Sequence, residues 1–311
     1  MASDVKQGAP APAPVLGFAP ALAALAVGAV AMGVSPVFVR LAEVGPFASA
    51  FWRVGLALPV LLAWAAWEAR ARAVPLAAAL RPDRAVLLAG LFFAGDLIFW
   101  HLAILNTTVA NATFMACLAP IWVLMFSRAF IGEEVDRTAF VGLALCLAGS
   151  AALLGSSLRL APERLLGDVY GFVTSLFFGL YFLAVRAARR RRGAGALTFS
   201  STAVTAAVLL VAALAMEPRM WPLGLGGVAA LLALGILSHC GGQGLLAVAL
   251  GSLTAAFSSL VIFVEALAAA LFGWLVFAEP LSPLQWLGGA LIMAGIFTAR
   301  PRGADPAAPS R

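Results

Sequence analysis

Apolar runs of about twenty residues recur ten times along this chain, and each is long enough to cross the roughly 30 Å hydrocarbon layer of a bilayer. They fall near 17–39, 46–67, 85–105, 108–130 and 137–156, then near 168–188, 197–216, 225–249, 254–277 and 283–300. Hydrocarbon offers no water to unpaired backbone groups, so only helices and closed barrels can span it. These runs are continuously apolar, not alternating, which leaves helices. Composition agrees: 63% of residues are hydrophobic and 11% charged, against about 45–50% and about 25% in soluble domains. The expected fold is all-α and integral to the membrane, with ten transmembrane helices. The shortest joints between runs are Asn106-Thr107 and Gly251-Ser252.

The net charge of +6 could suggest a nucleic-acid surface, but the arginines sit in short clusters between apolar runs. With the N-terminus inside, 15 of the 20 Lys and Arg residues fall in inner segments and 4 in outer loops, with Arg53 inside a span. That asymmetry predicts both termini in the cytoplasm and a multi-pass protein of a bacterial inner membrane, with lipid and no nucleic acid as its surroundings. The run Arg189–Arg192 reads as an inside anchor. Cys117, Cys146 and Cys240 all lie in apolar runs without metal-type spacing, so they read as packing residues and not as a disulfide framework.

The two halves match at a constant offset of 146 residues. Gly95 pairs with Gly241, Thr108 with Thr254, Ala110 with Ala256, Glu133 with Glu279, Gly142 with Gly288 and Gly149 with Gly295. Each half holds five spans, an odd number, so the halves must run in opposite directions across the membrane. The chain therefore divides into a tail (1–16), a first five-helix repeat (17–156), a linker (157–167), a second repeat (168–300) and a tail (301–311). Inverted repeats build many secondary transporters, with the cargo held near the midplane between the halves.

The repeat copies read ANATFMACLAPIWVLMFSRAFIGEEVDRTAFVGLALCLAG and AFSSLVIFVEALAAALFGWLVFAEPLSPLQWLGGALIMAG. An Ala-rich start, a mid-helix Pro or Glu, a loop Glu and a glycine-bearing final helix resemble the EamA-type repeat of the drug/metabolite transporter superfamily. One departure stands out: Glu265 is followed by Ala266, where the family often has a proline that would kink the helix. The resemblance implies a ten-helix carrier, among whose relatives are exporters of amino acids and other metabolites and carriers of sugar phosphates and nucleotide sugars.

Ionisable groups inside a bilayer cost about 2.5–3.5 kcal/mol on insertion scales, so the few present can be weighed one by one. Asp96 and Trp100 are four apart on helix three and share a face, where a carboxylate would suit an amine and the indole a flat contact. The alternative for Asp96 is a hydrogen bond to a neighbouring helix. His101 lies one position around. His239 and Gln243 are likewise four apart on helix eight, at positions matching Phe93 and Leu97, and the histidine reads either as a proton or substrate group or as an interhelical bond. Glu265, mid-span in helix nine, is a structural group, a proton site or a substrate contact. Arg53, seven residues into helix two, could snorkel outward, pair with Glu43 or capture a carboxylate.

Pro59 and Pro120 should kink their spans. Gly241, Gly242 and Gly244 lie within a span, so they suit close helix approach or local unwinding, a hinge, and not a phosphate loop. Ser282 before Pro283 reads as an N-cap. No paired acids, Ser-His-Asp set, metal spacing or Walker-type loop is found, so the expectation is a transporter and not an enzyme, without cofactor or metal. The expected cargo is a small metabolite, foremost an amino acid, exported by alternating access. A multidrug or nucleotide-sugar/sugar-phosphate carrier is the alternative within the class, and a channel or membrane enzyme the alternative outside it. The sequence leaves oligomeric state open.

Overall fold

The computed structural model describes residues 16–155, 162–277 and 282–301. Among these residues the backbone satisfies itself through helices, with no strand. Ten helical units follow one another. They are α1 (Phe18–Gly33, then Ser35–Leu41), α2 (Pro46–Gly55, then Leu58–Ala71), α3 (Arg84–Asn106), α4 (Val109–Ala116, then Ala119–Ile131) and α5 (Arg137–Leu154). Then come α6 (Leu165–Arg189), α7 (Ala194–Met216), α8 (Leu225–Ala233, Leu234–Gln243 and Gly244–Ala249), α9 (Ala255–Val261, then Phe263–Phe277) and α10 (Pro283–Thr298). Nine are long and apolar enough to cross a bilayer, and α10 is a shorter apolar helix of 16 residues. Their ends lie within a few residues of the expected spans. Residues 1–15 and 302–311 of the tails, residues 156–161 within the expected linker, and Glu279 of the repeat pairing lie outside the described residues.

The first α2 and α4 segments end just before Pro59 and Pro120, which sit in the first turn of the segments that follow. Proline there sacrifices no intrahelical donor. Pro36 plays the same part in α1. In α9 the break occurs without proline: the first segment stops at Val261, and the Glu265 N–H reaches back to the Ile262 carbonyl at 2.8 Å. Ala266 occupies the position that the offset matches to Pro120, so the discontinuity survives loss of the residue that marks it in the first copy.

A two-fold relation between the halves is visible in contacts. Residues matched by the offset can touch each other only near the axis, and two such pairs do. Cys146 Sγ donates to the Ile292 carbonyl at 3.6 Å, and the Phe93 and His239 rings lie 5.6 Å apart. Around the first pair, α5 crosses α10 on four glycines. A Cβ on Gly142 would stand 2.6 Å from the Gly295 carbonyl and one on Gly295 2.6 Å from that of Gly142, and Gly149 and Gly288 repeat the reciprocity at 2.6 Å. Thr108 and Thr254 cap α4 and α9 by accepting from Asn111 N and Phe257 N. Helix pairing obeys the same rule: α2 packs on α7, α3 on α6 as α8 on α1, and α4 on α6 as α9 on α1.

The bundle has two end faces. The proximal face carries the start of α1 and the end of α10, brought together where the Arg300 guanidinium lies 5.1 Å from the Phe18 ring centre. The distal face carries the opposite ends. Carboxylates close helix starts on both. On the proximal face Glu68, at the end of α2, accepts from Ala194, Gly195 and Ala196 N at 3.0, 2.9 and 3.3 Å, covering the N-terminus of α7. On the distal face Glu217, beyond α7, accepts from Phe47 N at 2.9 Å at the start of α2.

Candidate functional site

At the centre of the bundle a cavity of about 680 Å³ runs from the distal face toward the membrane midplane. Arg40, Thr108, Leu154 and Gln285 stand at its distal end, and Arg53, Asp96, Gln243 and Glu265 lie deep within it. Asp96 is twelve residues into α3 and Glu265 ten into α9, so at 1.5 Å per residue both sit about 15–18 Å from the proximal face. That depth is the middle of a bilayer core. Trp100, Phe178 and Phe263 contribute apolar wall.

Three ionisable groups from three helices share this space. Arg53 feels the fields of Glu265 and Asp96, and the two carboxylates feel each other. Among the described residues no ion pair within 4.0 Å joins Arg53 to either acid. Arg53 is 9% exposed and Asp96 8%, and the Arg53 Nε is buried with no hydrogen-bond partner. Gln243 is fixed from behind: its Oε1 accepts from the Tyr181 hydroxyl at 2.9 Å and its Nε2 faces the Met32 sulfur at 3.2 Å. An amide donates two hydrogens and a thioether accepts weakly, so donor capacity remains toward the cavity.

Of the residues singled out from sequence, the structure brings together Asp96, Trp100, Gln243, Glu265, Arg53 and Pro120 around one cavity. Arg53 turns inward: the Glu43 carboxylate accepts from Gly224 N at 2.9 Å on the distal surface, and the pairing of Glu43 with Arg53 is replaced by the inward field of two acids. His101 and His239 lie behind the wall, at 2% and 1% exposure. His101 Nδ1 lies 2.5 Å from the Leu97 carbonyl of its own helix, with the ring beside Phe47 and Trp100. His239 Nε2 lies 2.9 Å from the Thr202 hydroxyl on α7. Neither histidine is among the residues that line the cavity. Pro59 is exposed on the outside of the bundle.

The glycines of α8 divide by environment. Residues Leu234–Gln243 form a π-helical stretch, a widened helix and not an unwound loop. Such stretches recur at functional sites. A Cβ on Gly242 would strike Met32 and stand 3.2 Å from the Gly28 carbonyl, so this glycine permits the α8–α1 contact. A Cβ on Gly244 would meet Trp64 at 3.1 Å, whereas one on Gly241 would have nothing nearer than 3.7 Å.

The proximal side of the cavity is sealed by a polar lattice. Glu133, between α4 and α5, pairs with Arg186 Nε at 2.5 Å and Arg190 at 3.6 Å, and accepts from Ala255 N at 2.9 Å. Arg186 also donates to the Leu250 carbonyl at 2.8 Å. Arg189, only 5% exposed, donates to the Ala247 carbonyl at 2.7 Å and to that of Arg192. Arg192 pairs with Asp83 at 2.7 Å. The run Arg189–Arg192 is thus largely a structural brace, with Arg190 and Arg191 alone exposed. Sequence reasoning missed Arg186, although the repeat held the signal: 146 residues earlier stands Arg40, at the opposite end of the cavity. It also missed Tyr181, which nothing in the sequence separates from the other aromatics.

A membrane carrier of two inverted five-helix repeats around a midplane cavity is the class that this fold and site define. The chain belongs to the EamA-like transporter family, whose model matches residues 19–155 and again 165–300. It is 28% identical over 282 residues to an uncharacterized transporter of Archaeoglobus fulgidus, covering 89% of this chain and 95% of that one. It is 27% identical to the pseudopaline exporter CntI of Pseudomonas aeruginosa over 67% of this chain and 72% of the relative. It is 29% identical to the aromatic amino acid exporter YddG of Ancylobacter novellus over 48% of this chain and 51% of that protein. A crystal structure sharing 21% identity superposes with a TM-score of 0.79, over 90% of this chain and 97% of the other, a likeness of fold.

Proposed function

We propose that this transporter exports small metabolites, foremost amino acids, across a bacterial inner membrane by alternating access. The observation that carries the reading is a midplane cavity, reachable from the distal face, with a guanidinium and two carboxylates deep inside and a polar lattice between it and the proximal face. The excess of arginine on the proximal side supports reading that side as the cytoplasmic one. The conformation described is then the one that releases cargo outward. The exporters named among the relatives support the direction, and one of them is named for aromatic amino acids.

Rocking of one half on the other, about the glycine crossing of α5 and α10, would close the distal end and part the lattice. Sugar phosphates fit the deep part of the cavity poorly, since a dianion beside Arg53 would also meet Asp96 and Glu265, with Arg40 only at the distal end. A broader multidrug range is favoured only by the cavity's volume. The test is exchange by purified protein in liposomes preloaded with labelled amino acids, with nucleotide sugars and cationic dyes in parallel. Saturable amino-acid exchange supports the proposal, and movement of another cargo alone overturns its substrate class.

A further inference from the structure

The charges in the cavity have a composition that selects among cargoes. In its deep part, below Arg40 at the distal end, one guanidinium and two carboxyl groups converge without pairing at contact distance. An anionic solute would satisfy Arg53 and be repelled by Asp96 and Glu265. A simple cation would satisfy the acids and leave the Arg53 Nε, already without a partner, unsatisfied. A solute bearing one carboxylate and one ammonium a few ångströms apart answers both.

Building on the amino-acid reading above, we propose that Arg53 and Gln243 hold the α-carboxylate of a zwitterionic amino acid, while Asp96 and Glu265 hold its ammonium. Arg53 offers a planar fork of donors matched to a carboxylate, and Gln243, whose Oε1 accepts from Tyr181, keeps an amide hydrogen that can donate to the same group. The side chain then lies along Trp100, Phe178 and Phe263, a wall suited to apolar and aromatic residues. The other titratable groups in the field of this cluster are accounted for elsewhere: Tyr181 is bonded to Gln243, and Cys117 lies near Glu265 in the wall. His101 and His239 lie behind the wall, each with one ring nitrogen at the Leu97 carbonyl or the Thr202 hydroxyl and the other buried without a partner.

The arrangement is asymmetric, as a head-to-tail zwitterion requires. The offset matches Arg53 to Phe199, Asp96 to Gly242, Gln243 to Leu97 and Glu265 to Ala119. The scaffold obeys the two-fold relation, as do the cavity-lining Thr113 and Ser259, but the four groups assigned to the zwitterion do not.

Three probes that differ by one group test the assignment: phenylalanine, phenethylamine, which lacks the carboxylate, and hydrocinnamate, which lacks the ammonium. Each is run in competition with labelled phenylalanine in liposomes and in thermal stabilisation of the purified protein. Wild-type protein is expected to prefer phenylalanine to either fragment by tenfold or more. Arg53→Gln should abolish the preference over phenethylamine while keeping that over hydrocinnamate, and Asp96→Asn with Glu265→Gln should do the reverse. Because each readout is a ratio within one variant, reduced folding or yield cancels, and Arg53→Lys should restore part of the preference. Equal weakening of all three probes by Arg53→Gln overturns the assignment and makes the arginine structural. Wild-type exchange of phenylalanine and its methyl ester alike overturns it too, while leaving amino-acid transport standing. A wild-type protein that moves no amino acid brings down the parent reading instead.

Discussion

Asp83 shows how a single side chain holds a loop on the proximal face. Burial pushes its carboxyl up, but the hydrogen bond from Arg192 at 2.7 Å, with that from Val86 N at 3.0 Å, prevails and holds it below the ordinary carboxylate range. A carboxyl depressed by folding stabilises above its unfolded pKa and loses that contribution as pH falls through its folded value. Hydrogen exchange in the α2–α3 segment should therefore accelerate only well below pH 4 and not near neutrality, and Asp83→Asn should remove that acid step. Glu68 serves three backbone donors at once, so Glu68→Ala should cost about 1–3 kcal/mol in denaturant unfolding, more than a surface carboxylate would. How far such roles were legible follows from chemistry. Asp96, Glu265 and Arg53 stood out because charge is rare in hydrocarbon. Rarity alone cannot separate a group that lines the cavity from one behind its wall: the His239 Nε2 meets Thr202 on another helix, and no pattern along α8 announces that.

Helices in lipid gain little from hydrophobic contact with one another and rely on close packing. The α5–α10 crossing depends on this, because its four glycines bring each backbone against the other at positions where a Cβ would lie 2.6 Å from a carbonyl oxygen. Gly149→Ala or Gly288→Ala should then destabilise by about 1–3 kcal/mol through forced separation, read as a lowered melting temperature in detergent. Gly241→Ala, with no neighbour nearer than 3.7 Å, is the control. An unchanged melting temperature for Gly149→Ala would deny the crossing its structural weight. At this scale the sequence was most informative, since a length of apolar chain and a glycine spacing of seven already specify a span and its contact face. It was least informative about breaks. The discontinuity of α9 at Ile262 carries no proline, and the π-helical stretch of α8 carries only glycines, which promise closeness or loosening without deciding between them.

For the whole molecule, the sealed face rests on contacts between halves, with Glu133 of the first gripping Arg186 and the start of α9 in the second. Glu133→Gln should loosen that grip and raise the reactivity of Ser258→Cys, a position fully buried just inside the proximal face, toward a membrane-impermeant thiol reagent added from that side. Labelling no faster than in the parent would mean that packing, not charge, shuts this face. The internal repeat made the overall arrangement legible, because five spans per half forces opposed orientations, but it could not reveal where the closure stands. Nearly every interface described here joins one half to the other: α2 with α7, α3 with α6, α1 with α8 and α9, and α5 with α10. The covalent join between Gly155 and Pro162 adds little to such an interleaved assembly. The two halves, produced as separate polypeptides in one cell, should recognise each other and reconstitute transport, behaving as a heterodimer whose subunits happen to be encoded in tandem.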